Sequence, residues 1–411
     1  MTCIKPGSRE YPLVVAALFL GGFVTFANLY STQTILPTLV RQFHVTPVVG
    51  SLSVSLTTGA LAVCMLVTPV FSDRAGRRVV MTVSLAATGA FSLLAALAPS
   101  FGTLLVLRFL QGAVLAGFPA IAMGYIGEVI HPGSLGRVMG IYIGGTSIGG
   151  MTGRFMVGAL TDLFSWHVAL VVLGVLSMVI SFYFGRMLPP ATGVAPAPFS
   201  LARAAAAIFY HLKDPALLGL YAVGFILMGG FVSMFNYVGF LLMAPPYHLS
   251  QTLIGFIYIV YLGGTFSSAW VGRLADRLPR SLVLAAAVIS MGAGATVTLA
   301  PLLVVKILGL VLFAAGFFAG HSVASGWVNK RATINKSQAS SLYLFFYYLG
   351  SSVIGSAGGL FWSRFGWPGV IANIDGVLVL AVGMAFLTAV LAARHPLWVQ
   401  EKAGLGENTC R

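Results

Sequence analysis

The chain has 411 residues, of which 58% are hydrophobic and 8% charged, and its mean hydropathy is +0.96. So little polar surface cannot enclose a core of this size in water, which excludes a soluble domain and leaves a polytopic membrane protein. The net charge of +14 comes from 23 basic residues scattered through apolar segments, so there is no continuous basic face for a nucleic acid.

The apolar run from Pro12 follows Lys5 and Arg9 as a signal peptide would, but it is too long for an h-region and lacks a small-x-small cleavage site. It reads as a retained first span. A window of bilayer length then places twelve spans, at 12–36, 49–71, 79–98, 103–128, 137–161, 167–188, 215–241, 250–271, 281–299, 303–329, 337–361 and 369–391. The long interruption after the sixth, "PPATGVAPAPFSLARAAAAIFYHLKDP", opens Pro/Ala-rich and continues into a possible surface helix carrying Arg203 and Lys213. The chain thus divides into a six-helix bundle over 1–188, a linker over 189–214, and a second bundle with a short tail over 215–411.

With the N-terminus placed inside the cell, every loop Lys and Arg except Arg41 and Arg364 falls on the cytoplasmic side. Both termini are therefore expected in the cytoplasm, and the high basicity needs no polyanionic partner. The three cysteines, Cys3, Cys64 and Cys410, offer neither a disulfide framework nor a zinc pattern, and no metal or cofactor is expected.

The halves repeat one another. "GGFVTFAN" (21–28) is matched by "GGFVSMFN" (229–236), "FSDRAGRR" (71–78) by "LADRLPRS" (274–281), and Trp166 by Trp367. Three matches in one order indicate a duplicated six-helix unit, and six spans keep both copies in one orientation.

These residues resemble the major facilitator superfamily, whose signature between spans two and three is G-x-L-A-D-R-x-G-R-[RK]. The second copy, "GRLADRLPR" from Gly272, keeps Gly, Leu, Ala, Asp and Arg; the first, "PVFSDRAGRR", keeps Asp73, Arg74, Gly76, Arg77 and Arg78 but has Pro69 at the leading glycine. "RFLQG" (108–112) is similar to the fourth-span signature R-x-x-x-G. "GTSIGGMTGR" (145–154) is similar to the fifth-span antiporter motif G-x-x-x-G-P-x-x-G-G, with Gly150 at the proline and Arg154 at the last glycine. "YSTQTILP" (30–37) with "GGMTGR" most resembles the bacterial YnfM-like efflux branch of the drug:proton antiporter group. The resemblance implies an all-α fold of twelve transmembrane helices, alternating access, and substrate near the midplane between the halves.

It also implies a gate at the two charged turns, where Asp73 faces the start of span eleven and Asp276 the start of span five near Arg137. Arg74, Arg77, Arg78 and Arg277 surround those carboxylates, and Glu128, ending span four, is placed to join them. Simple positive-inside anchoring is the competing explanation.

Three basic residues lie within spans: Arg108, Arg154 and Lys306. Gly145, Gly149 and Gly153 recur every four residues, with Gly150, Arg154 and Gly158 on the adjoining row, so span five presents a broad face for close helix approach. The repeat equates Gly150, Arg154 and Gly158 with Ser351, Gly355 and Gly359, making the arginine the unduplicated member. Hydrocarbon supplies no acceptor for a guanidinium, so Arg154 should turn into the central cavity; a helix-to-helix bond to carbonyls is the alternative. Arg108 is read as a second cavity cation, against snorkelling to the interface. Asn28, Tyr30, Gln33, Asn236, Tyr343 and Tyr347 are the expected pocket, and His321 and Asp375 the candidate proton carriers. Packing is the ordinary use of each.

The expected function is proton-coupled efflux of a small amphipathic or anionic compound by a monomer in the bacterial inner membrane. Proton-coupled uptake of an organic anion or sugar is the alternative. A membrane-embedded enzyme lacks support, since no HxxxxD, HExxH or CxxC site is present, and no GxxxxGK[ST] loop offers ATP-driven transport.

Overall fold

The computed structural model describes residues 4–189, 201–334 and 336–394, and among them the regular structure is helical apart from an isolated bridge between Ile4 and Ile130. The helices of the first half are α1 (Glu10–Leu29), α2 (Leu36–Phe43), α3 (Pro47–Ala75), α4 (Arg77–Ala96), α5 (Phe101–Leu115), α6 (Pro119–Val129), α7 (Leu135–Leu163) and α8 (Trp166–Met187). A connecting helix, α9 (Leu201–Leu212), leads to α10 (Pro215–Met243), α11 (Gln251–Ile257), α12 (Val260–Leu274), α13 (Arg280–Val297), α14 (Leu303–Arg331) and α15 (Lys336–Arg394). Residues 190–200 of the expected linker, the tail from 395, and the side chains of Asp73, Arg74 and Arg203 lie outside the described residues.

Many helix starts are written locally. Thr46, Ser100, Ser165 and Ser250 each accept the backbone N–H three residues on, and Asp214 accepts from Ala216 and Leu217 at 2.9 and 3.3 Å. Pro47 and Pro215 occupy first-turn positions, where the missing donor costs nothing.

Ten helical stretches of the described residues are long and apolar enough to cross a membrane. The last of these, Gln338–Arg394, holds two expected spans, because the non-helical Gly366 (φ 62) folds α15 back on itself. Both of its ends meet the end of α14: Ser340 donates to Asn329 at 3.0 Å, and Arg331 to the Ala392 carbonyl at 3.4 Å. The expected fifth span is α7, whose 29 residues suffice in length but whose glycine-rich sequence lowers its apolarity.

Three expected spans are interrupted. Span one stops at Leu29 and resumes at Leu36, where Pro37 opens α2. Span four breaks between Leu115 and Pro119, as a proline without an N–H dictates. Span eight breaks at Tyr258 and Ile259.

The duplication is visible in the packing. A Cβ on Gly145 or Gly149 of α7 would clash with the carbonyl oxygen of Phe19 or Phe23 on α1, and one on Gly350 of α15 with the Phe225 carbonyl of α10. Glycine alone permits these approaches. Large apolar residues such as Val83, Phe182, Phe266, Trp270 and Val379 face outward, as a lipid-facing surface requires. The bundle has one end carrying Arg77, Arg78, Asp214, Asp276, Lys330 and Arg331, termed here the basic face, and an opposite face with Asp162 and Gly366.

Candidate functional site

The break in span one leaves the carbonyls at the end of α1 without helical partners. Arg108, 1% exposed on α5, meets them: its Nη1 donates to the Asn28 carbonyl at 3.0 Å and its Nη2 to Leu29 at 2.8 Å, while Nε reaches the Ser53 carbonyl at 2.9 Å. Nη1 also donates to Gln111 Oε1 and Ser31 Oγ. Every nitrogen of the guanidinium is thus engaged by neutral protein groups. Asn28 belongs to the same knot rather than to the pocket. Its Nδ2 donates to Val24 O and Ser177 Oγ, both at 2.8 Å, and its Oδ1 accepts from Gln111. Lys306 does not snorkel either; it is buried and donates to the Thr298 carbonyl just past the end of α13, at 2.5 Å.

Beyond the break, the chain turns through residues 30–35 and sets Tyr30 and Gln33 against Arg154. The Arg154 guanidinium is 3% exposed; Nε donates to Gln33 Oε1 at 2.8 Å and Nη1 to the Gly150 carbonyl at 2.7 Å. Its Cζ lies over three rings, those of Tyr30, Tyr258 and Tyr261, at 4.5, 4.6 and 5.4 Å from their centroids. Gln33 then spans the halves, donating through Nε2 to Asn236 Oδ1 at 2.8 Å, and Asn236 donates to the Gly355 carbonyl at 3.2 Å. Of the expected pocket, Arg154, Gln33, Tyr30 and Asn236 are therefore brought together.

On the second half's side, Tyr261 packs on Phe231 (5.1 Å between centroids), Phe231 stacks on Phe317 (3.8 Å), and Phe317 stacks on His321 (6.2 Å). His321 Nδ1 is 2.9 Å from the Tyr343 hydroxyl, and its ring lies 4.7 Å from that of Tyr347. His321, Tyr343 and Tyr347 so continue the packed aromatic chain that runs from Arg154 through Tyr261, Phe231 and Phe317. Asp375 is elsewhere: it accepts from Thr296 Oγ1 at 2.9 Å, between α13 and the second arm of α15.

The chain matches the family model of the Major Facilitator Superfamily over residues 18–353. It belongs to that superfamily. It is 46% identical over 385 residues to the uncharacterized MFS-type transporter YybF of Bacillus subtilis, covering 94% of this chain and 95% of that one. It is 42% identical over 379 residues to the inner membrane transport protein YnfM of Escherichia coli, covering 92% and 91%. Among solved structures, the peptide transporter POT in complex with sulfate superposes with a TM-score of 0.75 at 14% identity, over 93% of this chain and 94% of that one, a likeness of fold. The chain is an integral membrane transporter of the YnfM-like group and not an enzyme. In keeping with this, "GTSIG" (145–149) fits the letters of a G-x-S-x-G nucleophile elbow but lies within the continuous helix α7 rather than on a strand-to-helix turn.

At the basic face, Arg77 pairs with Glu128 at 2.5 Å, Arg78 donates to the Gly185 carbonyl, and Arg137 lines a cleft with Tyr11 and Ile141. Asp276 pairs with Lys330 of its own half, at the end of α14, at 2.7 Å, and Arg277 is exposed. The Lys330 hydrogen bond and charge hold the Asp276 carboxyl below the usual carboxylate range.

At the opposite face the halves touch. Ser55 and Ser356 hydroxyls lie 2.5 Å apart, and Ser352 donates to the Ser55 carbonyl at 2.7 Å. Asp162, ending α7, accepts from the backbone N–H groups of Gln251 and Thr252 at 3.3 and 2.7 Å and from the Thr252 hydroxyl at 2.7 Å. Sequence reasoning missed Asp162, Tyr258 and Tyr261. The tyrosines carry no motif, and their i, i+3 spacing in "YIVY" reads as ordinary packing until the break at 258 turns both toward Arg154.

Proposed function

We propose that this transporter exports a small anionic or amphipathic compound in exchange for protons, acts as a monomer in the bacterial inner membrane, and alternates access between bundles 1–188 and 215–411. The observation that carries this reading is Arg154: a buried cation where the halves meet, held by an amide, a carbonyl and tyrosine faces, and absent from the ion pairs of the described residues. A guanidinium so placed favours a negative group on the substrate. His321 is the proton carrier in this scheme, because it ends the aromatic chain that begins at Arg154 while Asp375 lies away from it. The basic face is the cytoplasmic one, with both termini there, since cations resist translocation.

Two measurements test the scheme. Cysteines introduced at the 276–280 turn should be labelled from the cytoplasm alone; labelling from outside would invert the topology. In oriented proteoliposomes, a pH jump that acidifies the outer side should drive anion efflux, and His321→Gln should abolish that drive while leaving counterflow of substrate. Accumulation in the direction of the proton gradient would make the protein a symporter instead.

A further inference from the structure

The central site is short of acceptors. Besides Arg154, the hydroxyls of Tyr30, Tyr261 and Ser351 have no acceptor there other than one another, although these residues are only 3%, 7% and 0% exposed. Ser351, from the other half, is within reach of the Tyr30 hydroxyl, and two hydroxyls bonded to each other still leave one O–H without an acceptor. A cation without an anion, beside hydroxyls with donors to spare, is a site lacking an acceptor-rich anionic group. Such a group carries one charge: Arg154 is the cation on offer, because all three nitrogens of Arg108 are bonded to Asn28, Leu29, Ser31, Ser53 and Gln111. The adjoining walls are aromatic faces, with Tyr258 5.5 Å and Phe231 5.1 Å from Tyr261 between ring centroids. Flat rings are matched best by another flat ring.

We propose that this site takes an aromatic monocarboxylate, whose carboxylate displaces the Gln33 amide oxygen from Arg154 and whose ring lies among Tyr258, Tyr261 and Phe231. The assignment rests on the reading of the protein as an anion exporter and names its substrate class. Gln33 stands in for the carboxylate when the site is empty; once displaced, it keeps its bond to Asn236 in the other half. Loading therefore alters a hydrogen-bonded chain that crosses the seam.

The test is binding to the purified full-length protein in nanodiscs, by thermal shift and calorimetry, with benzoate and cinnamate as probes. Both should stabilise saturably. Cyclohexanecarboxylate should bind about tenfold more weakly, having the charge without the flat ring, and neutral benzamide and doubly charged phthalate should not bind. Arg154→Gln should abolish the shift, and Tyr261→Leu should weaken it. Gln33→Ala should tighten benzoate binding severalfold, since the internal competitor is gone; a residue that only supported the fold would not do this, and the variant decides the matter should Arg154→Gln fail to fold. Absence of any shift with the aromatic acids, an unchanged shift in folded Arg154→Gln, or loss of affinity in Gln33→Ala would overturn the assignment. Equal binding of cyclohexanecarboxylate would overturn the ring while leaving anion export standing, whereas binding confined to cations or neutral compounds would overturn both.

Discussion

Arg108 and Arg154 carry the same guanidinium into the membrane and meet opposite surroundings. Arg108 closes the end of a helix; removing it leaves the Leu29 carbonyl without this donor, whereas the Asn28 and Ser53 carbonyls keep bonds from Ser31 and Thr57. Arg108→Met should therefore cost about 1–3 kcal/mol, read as a lowered melting temperature in detergent, and no substrate should restore it selectively. Arg108→Lys should recover only part, as an ammonium cannot span the fork between Leu29 and Ser53. Arg154→Lys should instead fold near the wild-type temperature and transport poorly. The sequence marks both positions as buried cations needing acceptors, but it does not say which. The reason is specific: the carbonyls that hold Arg108 exist because span one stops at Leu29, and the apolar run 12–36 reads as unbroken. Asn28, one residue before that stop, is drawn into the knot by the same geometry.

The glycine rows of α7 show what an element can reveal before its partner is known. Recurrence at 145, 149 and 153 announces a face for close approach, and that face meets Phe19, Phe23 and Ala27 of α1. Gly140 and Gly144, equally glycine in sequence, have open space where a Cβ would point. Gly149→Ala should thus be destabilising by about 1–3 kcal/mol, because backbone must yield, whereas Gly144→Ala should be neutral or slightly stabilising through helix propensity. Paired melting curves separate the two outcomes. Arg154 shares its row with Gly150 and Gly158, and all three are buried. The identity of α1 as the partner was not legible, since small residues report how near a neighbour comes and nothing about which neighbour it is.

For the molecule as a whole, the duplicated half-chain and the resemblance to the facilitator signature were legible because repeats and charged turns are linear features. The seam between halves was not, since it is made of serines, an amide and one exposed carboxylate with no common pattern. Asp162 bridges from α7 to the start of α11 across that seam. Asp162→Asn, with a weaker acceptor, should favour the state open at the opposite face, read as faster labelling of a cysteine placed at Ser356; unchanged labelling would make Asp162 a mere surface cap. The Asp276 pair follows a different rule. A carboxyl held low gives an interaction present in full above the ordinary carboxylate range and lost as pH falls through its lowered value. Between pH 5 and 8 that pair stays closed, so transport that varies in this window should keep its pH profile in Asp276→Asn.

Gly366 joins the two arms of α15 with one non-helical residue, its φ of 62 lying where side chains are disfavoured, and Gly369 sits tightly against Phe361. The elbow is one residue long, so it holds the eleventh pass, which carries Ser351, Ser352, Gly355 and Ser356 at the seam, next to the start of the twelfth, which lies against α13 through Asp375 and Thr296. A glycine joint there lets the two passes pivot about each other, and it is the shortest covalent route from the seam to the lipid-facing flank of the second bundle.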